Sequence, residues 1–339
     1  MYTAMNIKRG VFVINLVRNP DIYHGKNEKT DFFEGWYFKL VQPRTGDTYC
    51  FIPGIFLGKE ENSHSFIQVM KGNERNFKYL KYRENQFKAS ASEFNFQVGE
   101  SSFSLNGISL DINQQYERIF GTLYFDNIVR WPDSAINPGS MGFYNYLSFM
   151  QCYSQVCAVD GNIRGKLSIN GRLVDFTGGK LYIEKNWGKS FPYSYIWAQG
   201  NSFKDGDGSI TCSIANIPMP FPIKSFTGFL IGIYAKGRFY KFTSINKSSL
   251  SISCEEEKII LKTYNKNYFL TVEALYKQDY FMKLYAPRGG KMIPVASETL
   301  QGKLNVTLFD KKKGNMIFND SCFSAGIEFS ESYMELIYK

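Results

Sequence analysis

Between Gly178 and Asn201 the chain reads GGKLYIEKNWGKSFPYSYIWAQGN, two stretches in which apolar and polar residues alternate, joined across a Gly-Lys-Ser-Phe-Pro turn. An alternation of period two belongs to a strand with two unlike faces and is foreign to a helix. Gly188 and Pro192 mark the turn. On the first strand Glu184 and Asn186 share one face, with Lys185 and Trp187 on the other. On the second, Tyr195, Trp197, Gln199 and Asn201 line a single face. Large aromatics beside two amides suit a plain core badly, because a buried amide costs free energy unless a partner meets it. Chemistry is therefore to be sought here first.

The rest of the chain repeats this style. After an irregular start over residues 1–30, Phe32–Val41 (FFEGWYFKLV) alternates so that Glu34, Trp36 and Phe38 face one way and Phe33, Tyr37 and Lys39 the other. Short strand candidates with turn signals between them follow to the C-terminus, the spacing of an all-β sandwich or barrel. Asn106-Gly107 is expected to form a type I′ hairpin turn, and Asp160-Gly161, Asn170-Gly171 and Lys236-Gly237 to close further turns. Residues 131–142 form a loop, and Pro218, Pro220 and Pro222 make 217–223 a loop fit for a lid or lip. Gly178-Gly179 is the expected seam between two antiparallel β domains, 1–178 and 179–339. Barrels of about eight strands, and clefts between them, can hold one small ligand.

Composition narrows the functions. Aromatic residues reach 17%, with 30 Phe and 23 Tyr, which supports a substantial core and suits strands. The net charge of +9 is scattered, with one tight run at Lys311–Lys313, so a solvated basic surface is preferred to nucleic-acid binding. The same charge permits peripheral contact with a membrane. Six cysteines without a CxxC and only two histidines leave no metal-ligand spacing and little material for a Ser-His-Asp triad. No phosphate loop precedes a helix. No signal-peptide core stands in 1–18 and no apolar run reaches the roughly 20 residues of a membrane span, so a cytoplasmic protein with reduced thiols is expected.

The remaining inventory, carboxyls and aromatics on strands, suits acid-promoted chemistry on an apolar substrate, or its binding. Glu34 sits one strand step from Trp36, and a carboxyl desolvated among aromatics has a raised pKa and can serve as a general acid. Equally, Glu34 anchors a backbone amide or an arginine. Glu184 is a second candidate acid, or else a salt bridge tying the two domains together. Trp36, Trp187 and Trp197 suit a face turned to a carbocation, although for Trp36 a plug in the barrel floor is preferred. His24 is a candidate proton carrier, with a structural role preferred. Gln199 and Asn201 suit a substrate hydroxyl.

Asp31–Lys39 (DFFEGWYFK) and Glu184–Asn201 (EKNWGKSFPYSYIWAQGN) resemble the two signature stretches of the tocopherol cyclase family. Tyr23-His24-Gly25 lies upstream, where that family also has a Tyr-His pair, and weaker similarity runs through 161–176 and 302–309. The resemblance implies two consecutive lipocalin-like (calycin) β-barrels, related to hydroxyneurosporene synthase-like proteins. It also implies cofactor-independent ring closure in a prenylated hydroquinone: the alkene is protonated and the phenol oxygen captures the tertiary cation. Carried over by position, the motif residues are Tyr23, His24, Glu34, Gly35, Trp36, Tyr37, Glu184, Lys185, Asn186, Trp187, Trp197, Gln199 and Asn201. Glu34, Glu184, His24 and Tyr37 are the candidates for catalysis and the others, with Tyr195 where a tryptophan is common, for substrate contact.

The chain departs from the family where Gly25, Lys26 and Asn27 separate the Tyr-His pair from the next acid, Glu28. It shows no plastid-type leader, and 62–141 is unlike the plant enzymes. A hydrophobic prenylated quinol or related isoprenoid other than the tocopherol precursor is the expected substrate. A non-enzymatic lipid carrier, or a hydratase or isomerase of a polyene, is the competing expectation.

Overall fold

The structure is a computed structural model of the 339-residue chain and describes residues 17–59, 62–114, 116–206, 208–219 and 225–338. Among these residues, thirteen strands between Phe32 and Gly188 form one antiparallel sheet and ten between Tyr195 and Phe329 form a second. Each sheet curls around its own core, giving the all-β, lipocalin-like architecture the alternations call for. The inward residues of the first sheet include Trp36, Phe38, Leu40, Leu181 and Ile183. Those of the second include Ile196, Ala198, Ile231, Phe242 and Ile327. A fully buried side chain such as Phe38 contributes roughly 1.5–3 kcal/mol; a charge in its place would undo that sheet's core.

The residues between these point the opposite way, and there the two sheets meet. Tyr37, Cys50, Met70 and Tyr182 of the first pack with Trp197, Leu284, Ala296 and Leu300 of the second, and with Trp131 from the loop between strands. In the strands that meet here, one side builds a sheet's core and the other builds the junction.

The change of sheet does not fall at the expected seam. Gly179–Gly188 pairs with Phe32–Val41 on one side and with Cys152–Ala158 and Asp160–Ile169 on the other, so it belongs to the first sheet. The chain passes to the second sheet through 189–194, because Gly178-Gly179 is only the corner that leads the strand back beside its partner.

Turn chemistry is as expected at Asn170-Gly171 (φ 52° and 84°) and Lys236-Gly237 (φ 49° and 75°), both positive pairs. At Asn106-Gly107 it differs. The pairing of Ser104 with Gly107 makes Leu105 and Asn106 the two loop residues, and neither has positive φ. The Ser104 hydroxyl, which accepts from the Asn106 amide and donates to the Gly107 carbonyl, stabilises this alternative. Asp160-Gly161 is likewise no hairpin turn but an irregularity within a strand ladder. In the proline-rich loop, Pro220 and Pro222 lie outside the described residues; Pro218 ends a strand.

Candidate active site

The two sequence stretches with the most distinctive residues are adjacent strands. Glu34 lies opposite Trp187, Gly35 opposite Asn186, Trp36 opposite Lys185 and Tyr37 opposite Glu184. Because side chains alternate, this register sorts one motif into two chemically separate clusters.

The cluster on the inner face of the first sheet is closed. The Lys185 ammonium lies 2.5 Å from Glu34 Oε1 and 3.0 Å from His24 Nδ1, and it donates to the Ile22 carbonyl. Trp36 and Trp187 cover it at 5.2 and 4.7 Å from their ring centroids. Glu34 Oε2 accepts the His24 backbone N–H at 2.8 Å, and the imidazole stacks on Trp187 at 4.2 Å. Burial alone would raise the Glu34 pKa, but Lys185 and then His24 outweigh it and hold the carboxyl below its ordinary value. The expected protonated Glu34 is thus replaced by a carboxylate, and its role as an anchor for a backbone amide is the one observed. Tyr23 packs beside Trp36 and Phe87, and Trp36 stacks on Phe96 at 4.0 Å in the core, as a plug would.

The outer face looks into a cavity of about 410 Å³ between the two sheets. Phe33, Gly35, Tyr37, Glu184 and Asn186 line it from the first sheet, and Tyr195, Trp197, Phe229, Leu230 and Glu328 from the second. The loop over 131–150 supplies Trp131, Asn137, Met141, Tyr144 and Met150. Tyr23, His24, Glu34, Trp36, Lys185, Trp187, Gln199 and Asn201 are not among the lining residues.

Glu184 is the polar centre of this cavity. Its Oε2 accepts from the Tyr182 hydroxyl at 2.6 Å and the Trp197 indole N–H at 2.8 Å. Its Oε1 accepts from the Ser154 hydroxyl at 2.9 Å and, at 3.5 Å, from the Asn186 amide. A carboxylate has about four lone-pair positions, so donors occupy the whole group. Burial pushes its pKa up, and the four donors offset this only in part, so the carboxyl stays above its ordinary value. The Trp197 bond ties the two sheets together without the salt bridge that was the structural alternative.

Gln199 and Asn201 serve the junction. The buried Lys39 donates to Gln199 Oε1 at 2.8 Å, and burial pushes its pKa down to about 8. Asn201 donates to the Leu181 carbonyl at 2.8 Å and to Asp160 at 3.1 Å.

Two acids that lie outside both stretches complete the site. Glu298, on the long strand Lys291–Asp310, lies directly opposite Glu328 on Asn315–Phe329. Tyr37 donates to Glu298 Oε1, and Tyr195 donates to Glu328 Oε1 at 2.5 Å. Neither acid stands among the candidates that the sequence offers. The available signal was an acid alternating with small and apolar residues in Gly326-Ile327-Glu328-Phe329.

Comparison with known proteins agrees with this architecture. The family model described as tocopherol cyclase-like matches residues 101–330, more than half of the chain. A protein from Oryza sativa subsp. japonica named probable tocopherol cyclase, chloroplastic, is 23% identical over 362 residues, covering 90% of this chain and 77% of its own. The tocopherol cyclase, chloroplastic, of Zea mays is 23% identical over 363 residues, covering 90% and 76%. Among solved structures, CghA superposes with a TM-score of 0.55 at 8% identity over 89% of both chains. CghA with Sch210972 gives 0.54 at 8% identity over 88% of both, a likeness of fold.

Proposed function

The chain belongs to the tocopherol cyclase-like family, and on that premise we propose that it is a cofactor-independent cyclase of a prenylated hydroquinone or related isoprenoid. Glu184 carries this reading: of the two signature carboxyls it alone lines the cavity, among aromatic walls and beside the amide of Asn186. The prenyl tail fits the apolar walls, and the quinol hydroxyl takes the place of the long Asn186 contact at Glu184 Oε1. Protonation of the alkene gives a tertiary cation, which Tyr37 and Trp197 face with their π clouds. The phenol oxygen captures the cation, and Glu184, poised by burial against its donors, takes the phenolic proton.

The test is incubation of the protein with a prenylated methylhydroquinone in deuterated buffer, followed by mass spectrometry. Ring-closed product with one carbon-bound deuterium is expected. Substrate bound and returned without deuterium would favour a carrier, and product containing added water would favour a hydratase.

Ile136, Phe143, Tyr146 and Phe149 stand exposed on the segment whose other residues line the cavity. This rim fits transient contact with a lipid surface. Co-sedimentation with vesicles that the paired change Phe143→Ser and Phe149→Ser abolishes is expected, and unaltered sedimentation would contradict the contact.

A further inference from the structure

We propose that Glu328, paired with Glu298, is the proton donor of the cyclisation, an assignment that rests on the reaction proposed above. The two acids are cross-strand neighbours, and the ladder between their strands shifts register just beyond them, between Thr299 and Gly302. Bulges of this kind re-aim side chains beside active sites. Glu298 is fully buried, and Glu328 opens on the cavity beside Trp197, its other cross-strand neighbour.

The hydrogen-bond inventory says where the proton lies. Glu298 Oε1 accepts from Tyr37, whereas no donor among the described residues reaches Glu298 Oε2. Glu328 is the acid directly across the ladder from Glu298, on the same face of the sheet. A carboxylate oxygen left bare in a buried site beside a second carboxyl is costly, and one proton shared between the pair removes that cost. Burial and the mutual repulsion push Glu298 well up, and burial takes Glu328 to about 7. The groups facing the pair are Tyr37, Tyr195, Cys50, Lys39 and Glu184, and of these only Lys39 can bring a positive charge.

Acid and base therefore stand on either side of Trp197, which is the cross-strand neighbour of Glu328 and donates to Glu184. Their environments divide the roles: Glu184 is saturated by donors, while the pair holds a proton. The proton leaves Glu328 for an alkene carbon, and the π electrons form the new C–H bond and leave the tertiary cation. The phenol oxygen forms the C–O bond, and its proton passes to Glu184. Return of that proton through solvent to the pair restores the enzyme, and nothing is oxidised or reduced.

The test uses the whole protein and the same prenylated methylhydroquinone. Glu328→Gln is expected to lower turnover by about 100- to 10,000-fold, the usual worth of a general acid, with the dissociation constant for the hydroquinone unchanged. Full turnover in that variant would overturn the assignment. Glu298→Gln is expected to shift the alkaline limb of the pH–rate profile, since the two acids face each other across the ladder; an unmoved limb would overturn the pairing. Infrared spectra at neutral pH give a readout besides activity. A protonated-carboxyl band in the wild type, weakened in Glu298→Gln and retained in Glu184→Gln, is expected, and its absence from the wild type would overturn the shared proton. Failure of the underlying reaction looks different: the wild type itself then returns the hydroquinone uncyclised and without deuterium.

Discussion

Two glutamates on neighbouring strands show how much one step of alternation decides. Glu34 faces inward to Lys185 and is held as an ion, while Glu184 faces outward to neutral donors and a cavity. Glu34→Gln leaves a buried ammonium without its carboxylate, and we expect a loss of about 3–5 kcal/mol of stability in denaturant unfolding. The pH dependence of that stability has a definite sign. Because the Glu34 pKa is lowered on folding, its contribution is complete above the ordinary value of 4.5 and is lost as pH falls through the lowered one. Glu328 has the opposite sign: raised to about 7, it adds stability below 4.5 that declines as pH rises to about 7. Urea titrations at stepped pH on the wild type and Glu328→Gln check this, the decline across that window being smaller in the variant, which has lost the titrating group. The alternation was legible in the sequence, down to which residues share a face. Which face meets the cavity was not, because that depends on the segment carrying Ile22 and His24, which covers one side, and on the second sheet, which supplies the other.

Strands as whole elements position what the motifs alone do not contain. The signature strands donate to Glu298 and Glu328 from Tyr37 and Tyr195, across separations of 261 and 133 residues. No local pattern encodes a pairing of that range, so the acid pair is not legible in the sequence although its hydrogen-bond donors Tyr37 and Tyr195 are. Gly326 shows how tightly these strands are fitted. A Cβ there would lie 2.7 Å from the Trp197 ring, so the indole rests directly on bare backbone. Gly326→Ala is expected to cost about 1–3 kcal/mol by overpacking and to push Trp197 off Glu184, lowering turnover at least tenfold, about the 1.4 kcal/mol of one lost hydrogen bond. Tryptophan fluorescence and steady-state kinetics together check this; a variant with wild-type turnover would show that the Trp197–Glu184 bond is dispensable.

At the scale of the molecule, the chain builds two enclosed spaces and uses them differently. The interiors of the curled sheets are packed with side chains, and the first ends in the His24–Glu34–Lys185 cluster. The open volume lies between the sheets, walled by the strand faces that do not serve either core and covered by the loop over 131–150. An all-β, lipocalin-like architecture was readable from the spacing of strands and turns and from the family resemblance. The double glycine marks a corner within the first sheet, and the chain leaves that sheet only after Gly188. If the cleft is the reaction chamber, the same isosteric change must act differently on its two sides. The decisive measurement is turnover per folded molecule of Glu184→Gln and Glu34→Gln, with folded fraction fixed by unfolding curves on the same samples. Glu184→Gln is expected to keep its fold and lose turnover by about 100-fold or more, and Glu34→Gln to lose stability while its folded fraction turns over like the wild type. The reverse pattern would place the chemistry inside the first barrel and contradict the cavity as its site.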